Sequence, residues 1–390
     1  MRILLVHNYT EGFATGGEGR VFEDEAQILE QNGHDVYKLF CSNSEATEAN
    51  LFGKAKAFWY APWSPDGYAR VNRAIREHKP DIVHIHNFFL VLSPSIFQAA
   101  KDNDVPVVVT LHNYRLVSPC SLLLRNGEIC ELCVGRNPWR ILMYRCYRNN
   151  FLYSLLRYRF YYQSQKRYNW LSGIDRFIAL TDFGKQMYVR GKLPAHKIRV
   201  KSNSIKDPLH GENPTKPGHG ALFIGTITPE KGVCHLVDAW RKIDYPLDFF
   251  GDGSLRKKLE NIASERMTFH GVVSRDEISE KLKQCAFLVM PSICFEGLPL
   301  VLLEAMAAGR PAVASRLGAM AHVVEDGVTG LLFEPGNTVD MREKINMMIS
   351  NPSLCEQYGA AARRRYLDLY TPEITYRNLM KIYTEVLSER

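Results

Sequence analysis

The sequence predicts an α/β protein made of two doubly wound parallel-sheet domains facing a central cleft. Three observations lead there. At 390 residues the chain exceeds what one hydrophobic core usually supports, so two domains are expected. Short apolar runs rich in β-branched residues alternate with stretches of helical period from end to end, the pattern of parallel strands connected by helices. Between Asp207 and Gly220 the chain concentrates Pro208, Pro214 and Pro217 with Gly211, Gly218 and charged residues, as linkers do.

The elements follow in order. Ile3, Leu4, Leu5 and Val6 make 2–7 the first strand; the run is too short and too soon polar for a signal peptide. Further strands are expected at 35–40, 82–86, 106–111 and 176–180, with 199–201 as a sixth, and helices at 19–32, 67–78 and 93–102. After the linker come strands at 221–225, 247–250, 267–270, 287–290, 312–314 and 330–333, and the chain from Thr338 is helical. The expected boundaries are 1–207 and 208–372, with a C-terminal helix at 373–390 packing back on the first domain.

An apolar content of 46% with 23% charged residues is that of a soluble globular protein. No run of about eighteen apolar residues offers a membrane-spanning helix. Nine cysteines without a secretion signal suit a reducing compartment, so a cytoplasmic location is expected. The net charge of +7 is unevenly placed. Between Glu131 and Asp175 there is no acidic residue, against Arg136, Arg140, Arg145, Arg148, Arg157, Arg159, Lys166 and Arg167. Trp139, Tyr144, Tyr147, Phe151, Tyr153, Tyr158, Phe160, Tyr161, Tyr162, Tyr168 and Trp170 are interleaved with them. Such a mixture suits an anionic membrane surface, or a helix whose aromatics are core and whose arginines are solvated. No nucleic-acid partner is expected, because nothing else resembles a nucleic-acid module.

Several groupings could carry chemistry. Gly225-Thr226-Ile227-Thr228-Pro229-Glu230-Lys231-Gly232 runs from a strand into a helix near Val233. It offers backbone N–H groups, a helix N-terminus and a point charge to a phosphate. Gly251-Asp252-Gly253-Ser254 follows the next strand at the same sheet edge. Neither is a P-loop or a GxGxxG fingerprint. Glu296 stands in the loop at the carboxyl end of strand 287–290, where open α/β sheets bind ligands. Glu304 lies inside an apolar helix opened by Pro299 and closed by Gly309. A carboxylate there either bonds to ligand hydroxyls or points to solvent.

Other residues read more plainly. Cys120, Cys130, Cys133 and Cys146 form C-x9-C-x2-C-x12-C; a structural zinc site, thiols and a disulfide are the readings left open. Cys41, Cys234, Cys285, Cys294 and Cys355 read as buried thiols. His84 and His86 share one side of a strand, as a metal pair or as a strand-end pair bonded to backbone or lining the cleft; His7 is similar. Glu18 and Arg20 read as solvating a helix start, and Tyr366, Tyr370, Tyr376 and Tyr383 as core.

Taken in order, Gly225, Lys231-Gly232, Gly251-Asp252-Gly253, the E-x7-E pair Glu296 and Glu304, Gly327-Val328-Thr329-Gly330-Leu331-Leu332-Phe333 and Pro335-Gly336-Asn337 resemble a retaining GT-B glycosyltransferase of glycosyltransferase family 4. Gly16-Gly17, Gly33-His34, Pro80-Asp81-Ile82-Val83-His84-Ile85-His86, Thr110-Leu111-His112-Asn113, Ile178-Ala179-Leu180-Thr181 and Asn203 extend the resemblance to the whole chain. It implies a GT-B fold with an acceptor-binding first domain and a nucleotide-sugar-binding second one. It implies that Lys231 binds the donor diphosphate, with backbone N–H groups near Gly16, Gly17, Gly297 and Leu298. Gly225, Thr226, Gly251 and Gly253 would line the donor site, Glu296 would hold the donor sugar, Glu304 the ribose diol, and His112 would face the reacting sugar. The donor it implies is a nucleoside diphosphate sugar, with no metal or other cofactor expected for catalysis. The expected acceptor is a saccharide or lipid-linked saccharide, and the basic aromatic segment leads to an expectation of peripheral contact at the inner membrane face through 136–170. Two positions depart from the family: Thr226 replaces an arginine and His322 a glutamate. A GT-B nucleotide-sugar epimerase and a non-catalytic sugar-nucleotide-binding protein are the rivals, and a zinc-dependent interaction module is a third.

Overall fold

The computed structural model describes residues 1–9, 16–47, 59–147, 149–168 and 170–389, without the side chains of 46–47, 164–168 and 170. The chain forms two compact units, one of Met1–Ser121, Glu131–Lys201 and Tyr376–Arg390, the other of Leu122–Cys130 and Ser202–Thr375. Six helices matter below: α1 (Gly17–Gln31), α2 (Pro65–His78), α3 (Phe151–Tyr168), α4 (Val233–Trp240), α5 (Leu300–Ala307) and α6 (Pro372–Ser388).

The first unit carries β1 (Arg2–Tyr9), β2 (Asp35–Ser42), β3 (Ile82–Ile85) and β4 (Val107–Leu111). A hairpin of β5 (Leu124–Arg125) and β6 (Glu128–Ile129) belongs to the second unit, and β7 (Arg176–Ala179) and β8 (Ile198–Val200) return to the first. The first unit's strands form one parallel sheet in the order β2-β1-β3-β4-β7-β8. Ile3 to Val6 and Val107 to Val109 are buried, as strands covered on both faces require. Helix α2 starts where it does because the Ser64 side chain accepts from the Gly67 N–H and Pro65 suits the first turn. From α6, Leu379, Ile382, Tyr383 and Val386 pack with Ile3, Leu5, Phe22 and Leu29 of this unit's core.

The second unit holds β9 (Ala221–Ile224), β10 (Leu247–Phe250), β11 (Met267–Gly271), β12 (Phe287–Met290), β13 (Ala312–Ser315) and β14 (Gly330–Phe333). Their order is β11-β10-β9-β12-β13-β14, all parallel. That is the doubly wound order 3-2-1-4-5-6, whose switch point lies between β9 and β12; in the first unit it lies between β1 and β3. Trp240, Phe249, Phe287, Phe333 and Met341 fill the second core.

All expected strands are present, with ends shifted by two residues at most. The hairpin was not expected, although Asn126 and Gly127 have the positive φ values (53° and 82°) of its two-residue turn, and Asn-Gly is a strong hairpin signal.

Candidate functional site

In the second unit, β9 runs into a 3-10 turn, Pro229–Lys231, and then α4. Gly232 joins them with φ +68°, and a Cβ there would stand 1.9 Å from the Pro291 carbonyl oxygen. Only glycine lets the loop after β9 lie this close to the loop after β12. The Ile293 N–H donates to the Glu230 carbonyl at 3.0 Å, completing that seam. It carries Lys231 to Glu296: Nζ lies 2.7 Å from Oε1, and the Ser292 hydroxyl donates to the same oxygen at 2.8 Å. Desolvation lowers the Lys231 pKa, but the Glu296 carboxylate outweighs it and the net shift is upward. Lys231 is therefore charged at neutral pH. Cys294, beside them, is pushed up to about 12 by burial and then by Glu296, so it is no nucleophile.

Gly251 (φ +134°) and Gly253 are demanded by the fold itself: Cβ atoms there would meet the Gly225 and Ile227 carbonyl oxygens at 2.0 and 2.4 Å. The loops after β9 and β10 are thus laced backbone to backbone, with Ile227 N–H donating to the Asp252 carbonyl at 2.9 Å. Gly297 and buried Leu298 precede Pro299 and α5, and Glu304 sits half-buried in the middle of α5. The structure brings Lys231 and Glu296 together, with Ser292, which the sequence did not single out.

The first unit holds a second polar cluster. Gly16 precedes α1 and Gly17 is its first residue. Further along α1, Glu25 is buried and receives the Lys201 ammonium on Oε2. Its Oε1 lies 2.9 Å from His84 Nδ1 and 3.1 Å from His86 Nε2. His84 Nδ1 is also 2.7 Å from the Tyr383 hydroxyl, its Nε2 is 2.8 Å from the Thr110 hydroxyl, and His86 Nδ1 is 3.0 Å from His112 Nε2. Burial raises the Glu25 pKa, but Lys201, His84 and His86 hold it well below the usual carboxylate value. His112, half-buried, is lowered to about 3 by burial and His86, and His86 to about 4, chiefly by burial. His7 is lowered to about 2 by burial and both histidines. Glu18, expected to be solvated, accepts from Asn113 at 2.6 Å and Asn87 at 3.1 Å.

Glu25, His84 and His86 place one ligand atom each within 4.8 Å of the others, the one such grouping among the described residues. The Lys201 ammonium already supplies the positive charge that a metal would bring to this carboxylate. Sequence reasoning missed Glu25, yet the signal was present: Val21, Phe22, Glu25, Ala26, Ile28 and Leu29 share the buried stripe of α1, so Glu25 faces inward by helical spacing alone.

Known proteins place these features. The family model described as Glycosyltransferase Family 4 matches residues 15–207, and the one described as Glycosyl transferases group 1 matches 211–365. This chain belongs to glycosyltransferase family 4. It is 32% identical over 216 residues to an uncharacterized glycosyltransferase of Methanocaldococcus jannaschii, covering 54% of this chain and 60% of that one. It is 30% identical over 199 residues to the sulfoquinovosyl transferase SQD2 of Arabidopsis thaliana, covering 46% and 38%. The chain therefore spans less than two thirds of the length of these curated relatives. Among solved structures, the Anabaena protein HepE in complex with UDP is similar, with a TM-score of 0.66 and 17% identity over 99% of this chain and all of the other. The fold is GT-B, with two parallel-sheet α/β units.

Two features of this family 4 chain bear on readings that the sequence left open. The cysteines Cys120, Cys130, Cys133 and Cys146 are not gathered into a metal set: among the described residues no three of them come within ligand range of one another. Cys120, Cys133 and Cys146 lie in the first unit and Cys130 in the second, and all nine cysteines are thiols. In the basic segment, Arg157 lies 4.4 Å over the Tyr147 ring and Arg159 4.4 Å over the Trp59 ring. Both are half-buried, each with its guanidinium packed on an aromatic face. Arg148 and the side chains of Lys166, Arg167, Tyr168 and Trp170 lie outside the described residues. Trp139, Met143, Tyr144, Phe151, Leu152 and Tyr153 are exposed beside Arg136, Arg140 and Arg145. No helix among the described residues is long and apolar enough to cross a membrane.

Proposed function

We propose that this glycosyltransferase moves a sugar from a nucleoside diphosphate sugar to a hydroxyl of a saccharide acceptor, with retention at the anomeric carbon. The observation that carries the reading is the charged Lys231–Glu296 pair at the switch point of the second sheet. There a lysine can exchange its carboxylate partner for a diphosphate while the released carboxylate takes up sugar hydroxyls. Lys231 neutralises the leaving diphosphate, and Glu296 orients the donor sugar. Glu304 takes the ribose diol. The amides near Gly297 and Leu298 add N–H donors for the diphosphate; in the first unit, the amides near Gly16 and Gly17 offer N–H groups at the start of α1, and the His112 ring serves a sugar hydroxyl. The second unit is the donor-binding domain on this reading and the first the acceptor-binding one. No metal is required.

The experiment pairs a panel of UDP-, GDP- and ADP-sugars, read by protection against thermal unfolding, with turnover of the bound donor. Glu296→Gln should keep donor protection and lose turnover. Unchanged turnover in that variant would sink the reading, and conversion of donor without any acceptor would mark an epimerase.

The acceptor is a lipid-linked saccharide reached at an anionic membrane. Exposed Trp139, Tyr144, Phe151, Leu152 and Tyr153 beside Arg136, Arg140 and Arg145 supply aromatic insertion with positive charge. Trp139→Ala with Arg145→Gln should weaken binding to vesicles rich in phosphatidylglycerol; equal binding by parent and variant removes the membrane from the proposal.

A further inference from the structure

Hydrogen-bond polarity along the first unit's cluster can be followed atom by atom. A carboxylate only accepts. Glu25 is held ionised by Lys201, so His86 Nε2, 3.1 Å from Oε1, must carry the proton that faces it. His86 is neutral in these surroundings, since burial keeps its pKa at about 4. With its proton on Nε2, its Nδ1 is an acceptor. The atom 3.0 Å from that acceptor is His112 Nε2, which must therefore donate. His112 is neutral as well. Its remaining nitrogen, Nδ1, is left with a lone pair and no proton.

We infer that Glu25 and His86 are positioning residues that lock His112 in the Nε2–H tautomer, so that Nδ1 is offered as a hydrogen-bond acceptor to a hydroxyl of the sugar substrate. The inference rests on the reading that His112 serves the sugar. It adds the direction of the bond: His112 accepts from a hydroxyl and does not donate to a phosphate or a carbonyl. Lys201 fixes the first link by keeping Glu25 ionised. The device is the orienting partner of a histidine seen in many sites, extended by one imidazole. No proton crosses the chain at rest, and no group changes charge.

The test uses the full chain labelled with 15N-histidine, at neutral pH and without ligand. Long-range proton–nitrogen NMR reads each ring's tautomer, and the His86 and His112 signals are assigned by their loss in His86→Gln and His112→Asn. Neutral Nε2–H rings at both positions are expected. A neutral Nδ1–H ring or an imidazolium at either overturns the inference. A kinetic arm separates orientation from packing. In His86→Gln the new amide can donate to Glu25 and offer its carbonyl to His112, whereas the aliphatic side chain of His86→Leu can do neither. His86→Leu should lower kcat by about 10–100-fold, the cost of removing a histidine's orienting partner in metal sites, with His86→Gln recovering most of it at the same Tm. Equal kcat in the two variants overturns the positioning role. Finally, a donor that protects against unfolding should shift the His112 Nδ1 signal more as the nucleotide sugar than as the nucleotide alone. The tautomer as stated with no such difference would leave the relay standing and remove the sugar from His112.

Discussion

Both units place a lysine–glutamate pair near the carboxyl ends of their strands, yet the two pairs are built in opposite ways. Lys201 and Glu25 have side chains 1% and 4% exposed, and the carboxylate has two imidazoles on its other oxygen. Lys231 and Glu296 are 25% and 15% exposed, with the Ser292 hydroxyl on the same carboxylate oxygen as the ammonium. In the first, every charge is committed to protein partners in a dry interior, where leaving any one unpaired is costly. In the second, water reaches both groups, so a ligand phosphate can replace the carboxylate without stranding either charge. The same residue types thus make a framework in one unit and an exchangeable site in the other.

The largest effect should come from breaking the framework. Glu25→Ala leaves a buried ammonium without its counter-ion and the His86 Nε2–H without its acceptor. The expected loss is about 3–5 kcal/mol, measured by urea unfolding. Adding Lys201→Met should restore much of it, because the stranded charge is then gone. If Glu25→Ala costs no more than Lys231→Ala, the contrast between the two pairs fails.

Acid should attack the same unit. His7, His86 and His112 have folded pKa values of about 2, 4 and 3 against 6.5 unfolded. Between those limits the unfolded chain binds more protons, so stability rises with pH there and is lost as pH falls below 6.5. Glu25, depressed well below 4.5, adds stability that is present above its unfolded value and disappears only as pH falls through its folded one. Each histidine contributes a slope of up to about 1.4 kcal/mol per pH unit. Urea midpoints measured from pH 7 to pH 5 should therefore fall more steeply for the parent than for a His7→Asn variant. Identical slopes would show that His7 is not buried in its neutral form.

Much of this was legible in the sequence. Strands buried on both faces announce themselves as continuous apolar runs such as Ile3 to Val6, and the order of motifs from Gly225 to Asn337 carried the family. What stayed hidden was the choice of partners. Nothing local says that Lys201 meets Glu25, 176 residues away, or that Glu18 meets Asn87 and Asn113. Those pairings are set by strand order, which single-segment patterns do not contain. Arg157 and Arg159 misled for the opposite reason: their charge suggested solvent, while their neighbours Tyr147 and Trp59 supply aromatic faces that take a guanidinium.

Disturbing the exchangeable pair should separate binding from stability. Lys231→Ala removes a partly exposed ion pair, so stability should change by no more than about 1 kcal/mol. The bond to a donor phosphate is charge-assisted, worth about 1.5–3 kcal/mol, so affinity for the protecting nucleotide should fall by roughly one to two orders of magnitude. Calorimetric titration of parent and variant checks this. A large drop in Tm with unchanged affinity would make Lys231 a framework residue like Lys201.

The smallest effect concerns what the exchangeable site lacks. Thr226 is exposed in the loop after β9, its hydroxyl 3.4 Å from that of Thr228, at the position where the family pattern carries an arginine. If Lys231 is the main phosphate cation of this loop, Thr226→Arg adds a second charge at the edge of the site, in water and at the end of a flexible side chain. An exposed pair of this kind is worth about 0.2–1 kcal/mol, so nucleotide affinity should rise less than about fivefold and fade at high salt. The gain should be larger in a Lys231→Ala background, where the new guanidinium is the main cation left for the diphosphate. An equal gain with and without Lys231 would mean that the two side chains do not act on the same phosphate, and would move the diphosphate away from Lys231.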